Sequence, residues 1–321
     1  MANEVHEMTG RPLIAERLRD LLAELGRGTD TAQLVIFARV LLRGADFPEG
    51  LTDEQAPAVV ASAFRFFAAP GPDLRVRVVT PTYATEGWDA PGTVIETCIG
   101  DRPFVVDTVR ERLHAAGIEI RALLHPIFTV RRDPTGRIEF VAPPEEDGAH
   151  ESFLHIQVAP LGDAGAHTRL AEDIRAGLED VRVVTDDFAA MVGRAHALAA
   201  ELQDGRSRPA PAAAEGAAVA ELLRWLVDGG FVFLGYREYG LAAGAAPTFV
   251  PRPGTSLGLF RHDGHGIDEP GAVDGRVLAV AKTLAAAPVH RRACMDDIAV
   301  REIDADGRVL GARRFVGLFT S

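Results

Sequence analysis

Residues 98–109, CIGDRPFVVDTV, set an acid, a base and a proline where a run of β-formers gives way to a helix. The first backbone N–H groups of a helix have no partner within it, so such a join can hold a small anion. Asp101 and Arg102 are the side chains placed to contact a ligand there. Phe104 complicates this, because a ligand would need bare backbone where its ring stands. A second reading makes Asp101 the helix cap, Arg102 a surface charge and Phe104 a core residue. A third gives the join to contacts between chains.

Other residues that could do chemistry form weaker patterns. His125 and His155, with Asp133 or Glu151, could be drawn as a metal site, but they lack local ligand spacing and read as ordinary strand histidines. In VHRRACMDD (289–297) a Cys–His nucleophile would need His290 and Cys294 on one helical face with an orienting acid. Pro288 before them and strand residues after them favour an extended arginine–aspartate surface or interface cluster. Lys282 is the only lysine among 34 basic residues, and LAVAKTL reads as a strand ending with the lysine at its surface. Trp225, Phe231, Phe233, Tyr236 and Tyr239 gather around Gly229, Gly230 and Gly235 and read as core, with an aromatic ligand pocket as the alternative. Arg131–Arg132 and Arg313–Arg314 read as solvated strand ends. GTSLGLF (254–260) and GHGIDEPG (264–271) lack the spacing and the strand–helix setting of a dinucleotide fingerprint. No catalytic, cofactor-binding or metal residues are therefore assigned.

The elements that must position these residues can be read from periodicity. Helical spacing marks 11–25, with Ile14, Leu18, Leu21, Leu22 and Leu25 on one face, and again 31–43. Thr52 and Gln55 have capping-box spacing, although Pro57 favours a helix start closer to itself. From 74 the texture changes to strands, at 74–79 and 93–99. A helix follows Pro103 and stops at Gly117. Strand material over 118–133 is interrupted by His125–Pro126; a strand at 151–159, a helix at 166–179 and a strand at 181–187 follow. From 93 onward this is β-α-β-β-α-β, the ferredoxin-like pattern, with both helices on one face of an antiparallel sheet. A helix at 186–202 leads to the small, proline-containing DGRSRPAPAAAEG (204–216), read as a linker. Beyond it come a helix at 217–228, strands at 229–241, 257–261 and 276–282, and a hairpin over 297–320 turning at Asp306–Gly307. The fold class is α+β. The expected divisions are a helical lead (1–72), a ferredoxin-like domain (73–203), a linker (204–216) and a second α+β domain (217–321), incomplete at its C-terminal end.

Composition bounds the function. The chain has 321 residues, 47% hydrophobic and 25% charged, with net charge −12. That acidity disfavours nucleic acid and anionic membrane as partners. No signal segment and no spanning-length apolar run is visible, so a cytoplasmic protein is expected. Cys98 and Cys294 stand far apart, and Cys98 lies in an apolar run as a buried free thiol, consistent with a reducing compartment.

Four segments, taken in order, carry a resemblance: GDRPFVVDTVRERLHAAGIEIRALLHPIFTVRRD (100–133), ESFLHIQV (151–158), LLRWLVDGGFVFLGYREYGL (222–241) and the stretch from PVHRRACMDD to the end (288–321). They resemble the N-terminal region of the large bacterial NAD-specific glutamate dehydrogenases, over most of 30–321. The resemblance implies an ACT-like module at 73–203 and an ACT- or PAS-like one after it, with the catalytic domain further along the same polypeptide as partner. It implies NAD as cofactor of the parent enzyme, with no cofactor in this chain. It also implies oxidative deamination of glutamate to 2-oxoglutarate as the parent reaction, a homo-oligomer and an amino-acid effector. ACT modules commonly carry Asp-Arg-Pro-Gly at this join, which makes Gly100, Asp101, Arg102 and Phe104 the effector-binding candidates, with Phe104 departing from the glycine. The chain is then a regulatory or assembly segment, inactive alone. A free-standing amino-acid sensor and a scaffold without ligand are the alternatives.

Overall fold

The computed structural model describes residues 29–42, 55–204, 210–242, 247–262, 264–267, 276–304 and 306–320. The expected helix at 11–25 and the capping residue Thr52 lie outside them. The chain divides into two compact units, Met1–Leu178 and Glu179–Ser321.

In the first unit, helices α1 (Thr29–Leu41) and α2 (Ala56–Ala68) precede strand β1 (Arg75–Val79), the short helix α3 (Tyr83–Glu86) and strand β2 (Thr93–Gly100). Pro57 lies in the first turn of α2, where its missing N–H costs nothing. Helix α4 (Val105–Ala115) is followed by β3 (Ile120–Leu124), β4 (Ile127–Arg132), β5 (Ile138–Ala142) and β6 (Ala149–Val158), then by helix α5 (Ala164–Asp186). The strands form one antiparallel sheet in the order β1-β2-β6-β4-β5, with β3 also beside β6.

One strand of the expected pattern is not there. Residues 181–186 continue helix α5 instead of forming the fourth strand. Val181 and Val184 are buried in step with Ile174 and Leu178, a helical and not an alternating spacing. That burial overrides the β-preference of a valine-rich run. The fourth position in the sheet is taken from earlier in the chain, by β1 against β2 in the register Arg75↔Cys98 to Val79↔Val94.

The two faces of this sheet have different cores. On one, Cys98, Phe128 and Phe153 pack with Phe37 of α1 and Phe67 of α2. Phe37 lies parallel to Phe128 at 5.0 Å and edge-on to Phe153 at 5.5 Å, both favourable ring geometries. Strand alternation sends Ile95, Ile99, Leu154 and Ile156 to the other face, and all four are buried, as are Val109 and Leu113 of α4 and Leu170 and Ile174 of α5. Arg112 of α4 reaches Asp173 of α5 at 2.6 Å. A side chain at Gly177 would collide with the Arg112 guanidinium, so the glycine sets how closely these two helices approach.

The second unit carries α6 (Phe188–Asp204), α7 (Ala210–Trp225) and a π-helical turn (Leu226–Gly230), then strands β7 (Phe231–Ala242), β8 (Thr248–Pro251) and β9 (Leu257–Gly258). A single 3-10 turn, Leu259–Arg261, follows where a longer strand was expected over 257–261. Strands β10 (Leu278–Ala286), β11 (Cys294–Ile303) and β12 (Val309–Phe319) complete an antiparallel sheet in the order β10-β11-β12-β7-β8, with β9 beside β7. Residues 210–216, read as linker, are instead the opening of α7; alanine is the best helix former and outvotes the single Pro211 in the first turn. Helix α6 packs on α7 and on β7.

Candidate functional site

The β2–α4 join is built by the end of a central strand. Gly100 pairs with Glu151 of β6, and the Asp101 N–H continues that ladder by donating to the His150 carbonyl at 2.8 Å. Arg102 folds back, its Nε donating to the Gly100 carbonyl at 3.1 Å. Phe104 then takes φ +72°, ψ 0°, the left-handed conformation, and is itself the residue that caps α4. Its side chain is half-buried. Asp101 is thus not the cap, and Phe104 is not a full core residue. The glycine that the resemblance leads one to expect is absent, yet the backbone keeps the glycine-favoured shape, at a cost of about 1–2 kcal/mol for an L-residue. No side chain caps the helix.

The two strand histidines stand apart. His125 Nε2 lies 2.8 Å from Ser152 Oγ. Burial pulls the His125 pKa down, against the opposing pull of Asp101. His155 Nδ1 lies 2.9 Å from Glu96 Oε1. Ser152 and His155 have opposite parity in β6 and point to opposite faces, so the two histidines do not share a site. Among the described residues no cluster of three or more His, Cys, Asp or Glu is arranged to hold a metal ion.

Two rows of charge cross the face covered by α1 and α2, and sequence reading missed both. Arg77, Glu96 and His155 are in register on β1, β2 and β6. Glu96 is fully buried; burial would raise its pKa, but His155 and Arg77 outweigh it and hold the carboxyl below its usual range. Arg77 also donates to Ser62 of α2. The second row joins Arg75, Cys98, Glu151 and Arg132. Arg132 grips Glu151 with two hydrogen bonds, at 2.6 and 2.8 Å, and donates to the Phe67 carbonyl at the end of α2. Arg75 donates to the same carbonyl at 3.1 Å. Arg132 was expected to be solvated and is not; only Arg131 is exposed. Burial, followed by the Glu151 charge, pushes the Cys98 thiol up, which leaves it protonated and a poor nucleophile. These rows fasten α2 to the sheet. The signal for them was the odd-numbered spacing of Arg75 and Arg77 opposite Glu96 and Cys98, legible only once β1 is known to pair with β2.

An open groove of about 490 Å³ runs between Val78 of β1 and Ala164, His167, Thr168, Ala171, Glu172 and Arg175 of α5.

In the second unit, Phe231, Phe233, Tyr236 and Tyr239 are buried, as a core reading of the aromatic set requires, while Trp225 is half-exposed against Phe319 at 6.1 Å. Lys282 is exposed on the outer strand β10 and pairs with buried Asp296 at 2.8 Å. Cys294 opens β11 and is exposed, and His290 sits at φ +70° in the turn before it. Arg314 corrects another expectation. It is almost fully buried and forms a two-pronged ion pair with Asp297 at 2.7 and 2.9 Å. Arg313 pairs with Glu201 and Glu302.

Residues 37–174 match the family model described as glutamate dehydrogenase, ACT1 domain. The NAD-specific glutamate dehydrogenase of Pseudomonas aeruginosa is 33% identical across 77% of this chain and 16% of its own length. That of Halomonas elongata is 31% identical across 96% of this chain and 20% of its own length. The Mycobacterium tuberculosis protein of the same name is 34% identical across 68% of this chain and 13% of its own length. The chain thus spans a fifth or less of the curated relatives it matches. No helix among the described residues is long and apolar enough to cross a membrane.

Proposed function

We propose that this chain, which belongs to the large NAD-specific glutamate dehydrogenase family and corresponds to the N-terminal region of its members, serves regulation and subunit assembly in such an enzyme. The observation that carries this reading is the ACT1 match over residues 37–174, together with the small share of each relative that the chain covers. The parent reaction is oxidative deamination of glutamate to 2-oxoglutarate with NAD, performed by a catalytic domain in the same polypeptide, within a cytoplasmic homo-oligomer.

Gly100, Asp101, Arg102 and Phe104 are proposed as the effector contacts. The left-handed backbone at Phe104 supports this reading, since it keeps the shape that exposes helix N–H groups to a carboxylate. The phenyl ring opposes it and favours assembly without ligand. A thermal-shift panel of amino acids against the wild-type chain and Phe104→Gly decides between them. An effector role predicts a saturable rise in melting temperature that strengthens in the glycine variant. No response from either protein ends the sensing role and leaves assembly. A separate titration with NAD by calorimetry is expected to give no saturable heat; tight binding would overturn the assignment of this chain to the non-catalytic part.

A further inference from the structure

Phe260, in the 3-10 turn after β9, has surroundings unlike those of an ordinary core phenylalanine. Two guanidinium groups approach its ring, Arg237 of β7 at 4.7 Å and Arg314 of β12 at 5.6 Å from its centroid. Arg237 also donates to the Phe260 carbonyl oxygen, and to Ser256 Oγ at 2.9 Å. The ring rests over Gly235, where a Cβ would stand 3.0 Å from it.

The charges here do not balance. Arg237 and Arg314 are directly opposed on adjacent strands, an unfavourable like-charge pairing. Asp297 is bound two-pronged by Arg314. Among the described residues no carboxylate pairs with Arg237. A half-buried guanidinium whose partners are a hydroxyl and a carbonyl gains strongly from an anion in the carbonyl's place.

We propose that Phe260 occupies the place of a small aryl carboxylate, and that the sheet face between Arg237 and Arg314 is a binding site for such an acid. From ring through Cβ and Cα to the carbonyl, the residue has the skeleton of 3-phenylpropionate. The ring supplies the π-face that two cations attract, and the carbonyl oxygen marks where the carboxylate sits. Access comes when the Gly258–Arg261 turn lifts. Gly258, at φ +59° and ψ −136°, is in a conformation essentially confined to glycine and forms the hinge. Asp187 is the latch: it accepts the Gly258 N–H at 2.7 Å and pairs with Arg261.

The probe is 3-phenylpropionate, titrated by calorimetry into the full chain. Phe260→Gly, with the space vacated, is expected to bind it saturably. Binding should fall about tenfold with 3-cyclohexylpropionate, which lacks the π-face, or with 3-phenylpropan-1-ol, which lacks the charge. Arg237→Gln added to Phe260→Gly should cost a similar factor. Asp187→Asn, which keeps the ring and loosens the latch, should bind the probe several-fold more tightly than wild type, because the open state is more populated. Should Phe260→Gly not fold, the Asp187→Asn comparison decides alone. Equal affinity for the phenyl and cyclohexyl acids, or no gain in Asp187→Asn over wild type, overturns the proposal and leaves Phe260 as core packing.

Discussion

At Phe104 the backbone asks for glycine and the sequence supplies a ring. The usual order of helix-terminal preferences should therefore invert there. Phe104→Ala loses the ring and keeps the strained φ, whereas Phe104→Gly loses the ring and relieves the strain. Urea unfolding is expected to rank glycine above alanine by about 1 kcal/mol; alanine ranking equal or higher would remove the strain argument. Glu96 makes a second residue-scale case. Its carboxylate is buried between Arg77 and His155, so Glu96→Gln leaves a buried cation short of its partner and should cost about 3 kcal/mol at neutral pH. The sequence made the first of these legible and not the second. CIGDRPF announces a strand-to-helix join through local chemistry. Nothing local in TVIETCI says that its glutamate faces an arginine nineteen residues earlier and a histidine fifty-nine residues later.

Among elements, the long helix α5 shows where reading by periodicity works and where propensity misleads. VRVVTDD is rich in β-branched residues, and a strand there would have completed a familiar pattern. The discriminating fact is that Val181 and Val184 are buried while Arg182 is exposed and Val183 only partly covered. Val184→Ala should then open a cavity and cost about 2 kcal/mol, with Val183→Ala costing clearly less. A strand would pair 181 with 183 and reverse that order of 183 and 184. The missed strands β5 and β8 are a different failure. Both are short, one is preceded by a turn at Pro134–Gly136, and the other ends in proline. Short outer strands carry too few alternations to stand out from loop, and a proline in a strand fits only such an edge. The alanine-rich residues 210–216 fail in the opposite sense, since small residues and one proline look like linker until a helix packs beside them.

For the whole molecule, acid stability follows from carboxylates in both units. Glu96, Glu151 and Glu302 are pushed up by burial but held below their usual range by His155 with Arg77, by Arg132 and by Arg252 in turn; Asp187 is held down chiefly by Arg261. Groups depressed in the folded state stabilise it above their ordinary titration range. That stability is lost as pH falls below about 4, through the lowered folded values. Urea midpoints should drop steeply between about pH 5 and about pH 3, and Glu96→Gln should flatten part of the slope. A midpoint independent of pH would mean that these pairs contribute nothing.

The lone lysine has a consequence of another kind. An amine-directed reagent finds one side chain in 321 residues, and it lies exposed on the outer strand β10. Apart from the α-amine of the polypeptide, an ester-activated dye, a surface tether or a crosslinker would therefore attach at one known side chain on the second sheet, without engineering. The same attachment removes the charge that Asp296 leans on, so the label both marks that strand and weighs on its stability. An unlabelled and a labelled sample, melted side by side, would read out what the Lys282 ammonium contributes through Asp296 and the Cys294 carbonyl together.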